Sequence, residues 1–239
     1  MPTDFGKLVK TLGLGRGNIL APHIDHFLAT HNEFAPTIQV GGIKEDDGHF
    51  HPSAHCLMDQ ADLFDTFLPP LPHPIPNTAA EKKTFDCGHM WHGYLQAALI
   101  EMGFVKPENV ERHFLWPLPD LLVYGFETVS RTTSMRVSGT VDLLDVEIPG
   151  HGTWLVDIKS AGSGTFNSLE KTGLFEKYTA QVNVYGDRVG TENMLILVVS
   201  KDNPHEFREI QIQRDSTLLA EIYERWLTVA EELGKRGVR

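Results

Sequence analysis

The sequence predicts an α/β protein of the α+β kind: a mixed central sheet flanked by helices, behind a loop-rich and helical N-terminal segment. Three observations carry this. Periodic segments follow one another in the order α-β-β-β-α-β-β-α from about residue 85 onward, which describes a sheet with helices on its faces. Residues 41–83 are rich in Pro, Asp and His and include LPPLPHPIP, which cannot donate a regular ladder of hydrogen bonds. Hydrophobic residues make up 41% of the 239, with 13 Phe and 4 Trp, enough to bury a core and too many for a wholly disordered chain. The expected division is an accessory segment over 1–84 and a core with a closing helix over 85–239.

In the accessory segment Phe5, Leu8, Val9 and Leu12, and then Ile24, Phe27 and Leu28, repeat at helical spacing on either side of GLGRG. That glycine run lacks the Gly-Lys-Ser/Thr of a phosphate-cradling loop and reads as a turn. In the core, Met90, Trp91, Leu95, Ala98, Leu99 and Met102 predict an amphipathic helix over 85–103. Segments 121–130, 134–146 and 153–160 are rich in Val, Leu and Thr, and the last two are separated by Pro149-Gly150-His151-Gly152, so they predict three successive strands. A helix over 168–188, a buried strand over 194–200 and an alternating strand over 206–213 follow. A closing helix carries Leu218, Leu219, Ile222, Trp226, Val229 and Leu233.

Against 32 Asp+Glu stand 21 Lys+Arg, a net charge of −11. This excludes a protein that coats nucleic acid by bulk charge, because polyanion affinity comes mainly from Lys and Arg. It leaves room for a local cleft whose carboxylates hold cations. No apolar run approaches the roughly 20 residues that span a bilayer, and the start of the chain, with Asp4 and no apolar stretch, is unlike a secretory signal. The expectation is a cytoplasmic protein with no membrane partner. Cys56 and Cys87 make neither a disulfide framework nor a CxxC pair and read as reduced thiols.

The chemistry concentrates in the predicted strands. In WLVDIKSA the period of two puts Leu155, Asp157 and Lys159 on one face of an otherwise apolar strand. Burying an unpaired charge costs several kcal/mol, so the pair needs compensation, and a structural salt bridge is one form of it. In RVSGTVDLLDV, Ser138, Thr140 and Asp142 share a face, and a hairpin around the PGHG turn brings Asp142 near Asp157. Two close carboxylates repel unless a divalent cation lies between them, which is the second form. Gly139 would let another group approach this strand closely. His92 sits at the margin of the first core helix's apolar stripe, about 100° from Trp91, as a core-edge histidine or a ligand reaching over the sheet. Gln181 and Tyr185 lie one turn apart, with Lys177 one turn earlier, in a row suited to orienting a lysine or a phosphate.

The ordered series GxxxH (Gly88, His92), GxxD (Gly139, Asp142), DxK (Asp157, Lys159) and QxxxY (Gln181, Tyr185) resembles the PD-(D/E)XK nuclease superfamily. Within it, the series is similar to the RecB-like branch, with its CRISPR-associated RecB-like nucleases and phage exonucleases. The resemblance covers roughly residues 85–235 and implies a restriction-endonuclease-like core. It implies a Mg²⁺- or Mn²⁺-dependent DNA nuclease, with one or two cations held by His92, Asp142, Asp157 and the Ile158 carbonyl. Asp142, Asp157, Lys159, Gln181 and Tyr185 would be the catalytic set. In that set Lys159, its pKa lowered by metal and burial, would orient or deprotonate water, and Gln181 and Tyr185 would position Lys159 and the DNA strand. An exonuclease of phage-type recombination, replication or repair fits best. The other readings are a flap or structure-specific endonuclease and a DNA-end-binding or replisome-assembly module without turnover. DNA is the implied substrate, and a second copy of the chain or a single-strand-binding or annealing protein the implied partner.

The stretch FHPSAHC, residues 50–56, is similar to a Ser-Pro-Ser-plus-cysteine segment of that group, but the three later cysteines of its cluster-bearing members are missing. An all-cysteine iron–sulfur cluster needs four thiolates, so none is expected. A structural zinc on His49, His51, His55 and Cys56 would have suitable ligand types but no regular spacing, and exposed loop histidines are the preferred reading. Glu127 reads as a surface strand residue or as an acid behind the site, and Ser160 as solvated or as a phosphate contact.

Overall fold

The computed structural model describes residues 17–38, 47–68, 78–118, 135–203 and 206–237. Its elements are helices α1 (Ala21–Thr30), α2 (Pro52–His55), α3 (Gln60–Thr66) and α4 (Ala79–Glu101), strands β1 (Val110–Pro117), β2 (Arg136–Ile148) and β3 (Gly152–Ala161), helices α5 (Ser163–Asn167) and α6 (Gly173–Val189), strands β4 (Met194–Ser200) and β5 (Phe207–Ile212), and helix α7 (Ser216–Lys235).

The strands form one mixed sheet in the order β1-β2-β3-β4-β5. All neighbours are antiparallel except β3 and β4, whose parallel pairing requires a crossover, supplied by α6. Helices cover both faces, so β4 is buried at every position and reads as the continuous apolar run MLILVV before Ser200. One face packs Leu155, Ile196 and Val198 against α6 and α7, and the other packs Val156, Ile158, Leu195 and Leu197 against α1 and α4.

The β2–β3 hairpin turns where the glycines predict it, with Gly150 at φ 78° and Gly152 at φ 79°. Helix α4 begins earlier than its apolar stripe suggests, because Thr78 and Glu81 form a capping box that satisfies the first N–H groups at Ala79's end. Its stripe is also narrower. Leu95, Ala98 and Leu99 are fully buried, but Met90 is 54% exposed. The expected strand over 121–130, the helix around Phe5–Leu12's repeat and most of LPPLPHPIP lie outside the described residues. The first described strand is β1, at 110–117. Its sequence, VERHFLWP, carries no clean alternation because an edge strand exposes most of its positions.

The histidine-rich stretch packs rather than protrudes. Phe50 bridges Val137 on β2 and stacks on Trp226 of α7 at 5.1 Å. His55 is buried edge-on to Phe67, its Nδ1 accepts from His51 N at 2.9 Å, and its carbonyl accepts from Trp226 Nε1 at 3.2 Å. The expectation of exposed loop histidines is corrected for His55. Cys56 is buried, which pushes its thiol pKa up. At the far edge of the fold, the Glu209 carboxylate of β5 accepts from Ile19 N, Leu20 N and Ala21 N, capping α1 from the other end of the chain.

Candidate active site

Each sequence motif brings one or two side chains to the point where β2 and β3 part. The ladder between them runs from the hairpin as far as Leu143 opposite Val156. Beyond it the Asp142 carboxylate reaches across the gap and accepts from Ile158 N at 2.7 Å. Helix α4 crosses here because Gly88 has no side chain: a Cβ there would sit 3.0 Å from Ser160 Oγ on β3. One turn on, His92 places Nδ1 3.5 Å from Asp142 Oδ2. Burial, with the Lys159 ammonium nearby, pushes the imidazole down to about 4, so it is neutral and keeps a lone pair for a ligand.

On β3, Asp157 is 1% exposed and Lys159 Nζ lies 2.7 Å from its Oδ2. That short ion pair is the contact Oδ2 makes among the described residues. Burial pushes Asp157 up to about 6, with the Asp142 charge adding to the shift and Lys159 opposing it. Burial alone would lower Lys159, but Asp157 and Asp142 outweigh it and hold the lysine above its ordinary value. Without a cation, then, Lys159 is held as an ammonium by its two acidic neighbours, and the lowering expected from the sequence would need the charge of a bound metal to offset them.

Helix α6 closes over this pair. Gln181 Nε2 donates to Asp157 Oδ1 at 3.4 Å and to Tyr185 Oη at 3.5 Å, both long bonds. The Tyr185 ring lies on bare backbone, for a Cβ at Gly139 would be 2.6 Å from its Cε1. Gly139 and Tyr185, read separately from the sequence, thus explain each other. The QxxxY row holds the acid and not the lysine, and both side chains are buried. The lysine instead faces Tyr178, 5.3 Å from the ring centroid, a residue the motif did not single out.

Sequence reasoning also missed Glu111 and Gln96. Glu111 on β1 has φ 49°, and the buried Gln96 of α4 donates from Nε2 to its Oε1 at 2.8 Å. Ligand atoms of His92, Glu111 and Asp142 all lie within 4.8 Å of one another. Only the register could have found this, since Val110 opposite Leu143 and Arg112 opposite Val141 set Glu111 across from Asp142. Two carboxylates and a neutral imidazole this close together fit a divalent cation of the Mg²⁺ or Mn²⁺ class. Glu127 lies outside the described residues. His49, His51, His55 and Cys56 do not form such a group among the described residues.

No family model matches the chain, and no curated protein matches it. Among solved structures it is similar to LHK-Exo in complex with dAMP, with a TM-score of 0.52, 20% identity, and coverage of 79% of this chain and 89% of that one. A second structure of LHK-Exo, an alkaline exonuclease from Laribacter hongkongensis, overlaps at TM-score 0.48 and 19% identity, covering 79% and 89%. A phage-related exonuclease from Haemophilus somnus 129PT overlaps at 0.40 and 14% identity, covering 85% and 95%. The mixed five-stranded sheet, its flanking helices and the first overlap establish a restriction-endonuclease-like nuclease fold.

Proposed function

We propose that the chain is a Mg²⁺- or Mn²⁺-dependent deoxyribonuclease of the RecB-like type, acting as an exonuclease on DNA ends in recombination, replication or repair. The observation that carries the reading is the Asp157–Lys159 pair, buried under α6 beside Asp142 and His92. A buried acid and ammonium that served stability alone could be replaced by apolar residues with little loss, whereas phosphodiester hydrolysis needs both charges where a phosphate enters. The fold shared with LHK-Exo, which has been seen with dAMP, supports the reading.

His92, Asp142, Asp157 and the Ile158 carbonyl are the residues to hold the cation, with His92 tilting preference toward Mn²⁺. When bound, a divalent cation lowers the pKa of water and clamps phosphate oxygens. Lys159 offsets the negative charge that develops on the phosphate, and Tyr178 limits where its ammonium can swing. Gln181 and Tyr185 act through Asp157 as positioning residues. The 1–84 segment serves as an accessory to the 85–239 core, and a second copy or a single-strand-binding partner completes the working assembly in the cytoplasm.

The test is end-labelled linear DNA beside covalently closed circular DNA, incubated with Mg²⁺ or Mn²⁺ and with excess EDTA. Loss of label from linear DNA alone, abolished by EDTA, is the expected result. Retention of end-labelled DNA without cleavage would favour the end-binding module, and cutting of circles or flaps the endonuclease.

A further inference from the structure

We propose that Glu111 is a metal ligand: with His92 and Asp142 it forms a divalent-cation site on the α4 side of Asp142, and Gln96 positions it there. This deepens the nuclease reading and rests on it. No sequence motif includes Glu111 or Gln96, and the argument comes from where the fold puts them.

Arg112 and Phe114 of β1 look toward α6, where the Arg112 guanidinium lies 5.3 Å from the Phe114 ring and Phe114 packs against the core of that face. Strict alternation would send Val110 the same way. Val110 instead packs against the α4-side core, while Glu111 also faces α4, where it meets Gln96. The left-handed φ of 49° at Glu111 makes this switch, and a non-glycine residue adopts it only when the surroundings hold it there. The hold is Gln96, one turn beyond His92 on the same helix, buried and committing an amide N–H to one carboxylate oxygen. The chain therefore aims a carboxylate at the imidazole and carboxylate that other elements supply.

Two features point to a cation in the gap. The carboxylates of Glu111 and Asp142 and the His92 imidazole bring ligand atoms within 4.8 Å of one another, and two carboxylates held that close repel unless a cation joins them. The nearby ammonium, Lys159, is already taken by the buried Asp157, whose Oδ2 it meets at 2.7 Å. Two carboxylates with one imidazole suit Mn²⁺ better than Mg²⁺.

The bland account is that Glu111 merely satisfies Gln96. Glu111→Gln separates the two, because an amide oxygen still accepts from Gln96 but the charge is gone. Binding of Mn²⁺ to the full chain, measured by calorimetry and by the loss of the free-Mn²⁺ resonance signal, should weaken about 10-fold or more in Glu111→Gln, with melting in metal-free buffer unchanged. Gln96→Leu should weaken it about 3-fold or more, and Glu108→Gln on the neighbouring turn should leave it alone. Mn²⁺ affinity in Glu111→Gln equal to wild type overturns the assignment. Wild-type protein that binds no Mn²⁺ overturns it as well. Wild-type protein that binds Mn²⁺, loses affinity with Glu111→Gln and yet cleaves no DNA supports the site and overturns the nuclease reading alone.

Discussion

The two sides of the sheet treat the same gap differently. Toward α6, Asp157 is 1% exposed, Tyr185 lies on the bare backbone of Gly139, and Gln181 bridges the two. Toward α4, the His92 side chain is 23% exposed and Glu111 is exposed outright. One side is a buried clamp around an acid and an ammonium; the other is an open rim of imidazole and carboxylate. The contrast teaches that two environments wall one gap: packing locks the side chains of the clamp, while those of the rim stay open to solvent. Variants on the sealed side should lose turnover or stability, and variants on the rim should lose metal affinity first.

The largest effect expected is on the clamp. Asp157→Ala and Lys159→Ala should each lower the rate of DNA degradation by about 10²-fold or more while the far-UV dichroism stays native. Near wild-type turnover in either would remove the clamp from the chemistry. His92→Ala, on the rim, should be comparably slow at low Mn²⁺ and recover in part as Mn²⁺ is raised, a rescue that Lys159→Ala should not show.

Gly139→Ala tests the seal without touching a charge. Its new methyl would overlap the Tyr185 ring, and overpacking of this kind costs about 1–3 kcal/mol, read as a fall in urea midpoint. An unchanged midpoint would mean that the ring is free to shift.

The pH dependence of stability sharpens the comparison further, because the two sides pull in opposite directions. Asp157 is raised by burial from 3.8 to about 6, so the folded state binds the proton more tightly, and this contribution is lost as pH rises from about 4 through about 6. His92 is lowered by burial from 6.5 to about 4, so its contribution is present above 6.5 and lost as pH falls toward 4. In metal-free buffer, wild-type melting should therefore change little between pH 4 and 6 on their account. Asp157→Asn should leave a melting temperature that climbs with pH over that window, and His92→Gln one that declines. Identical slopes in both variants would show that the two groups do not titrate as their surroundings dictate.

The smallest effect concerns the thiols. Cys56→Ser puts a hydroxyl into an apolar core and should cost about 1–3 kcal/mol, whereas Cys87, partly exposed, should cost little. The double variant should remain colourless and retain nuclease activity at 25 °C; elemental analysis finding about one zinc per chain, lost on substitution, would overturn the metal-free reading of these thiols and leave the nuclease reading untouched.

How far the site was legible follows from what each residue's signal depends on. Asp157 and Lys159 stood out because two charges in an apolar strand need no tertiary information to be anomalous. Gly139 announced a close approach, but which group approaches depends on a helix beyond the next strand, and only the structure names Tyr185. The lysine's raised pKa in the absence of metal comes first from Asp157, two residues away in the same strand, and then from Asp142, whose approach from another strand only the structure shows. Glu111 was illegible because edge strands carry weak periodicity and because its importance lies wholly in register. Among the histidines, His55 and His92 are indistinguishable as letters. Packing separates them: the ring of His55 is wedged against Phe67 and its Nδ1 is taken by a backbone N–H, whereas that of His92 looks onto a carboxylate.

The Glu209 carboxylate that caps α1 has a bearing on how the molecule assembles. Ile19 and Glu209 are separated by 190 positions, so the contact closes a loop of most of the chain. During synthesis α1 emerges early, yet the three backbone donors at its start find their acceptor only after β5 has been made and paired with β4. Long-range closures of this kind form late and slowly. Docking of α1 through these bonds therefore waits for β5, and a ribosome-bound fragment ending after β4 would contain Asp157, Lys159, Gln181 and Tyr185 before it could carry a fully docked α1.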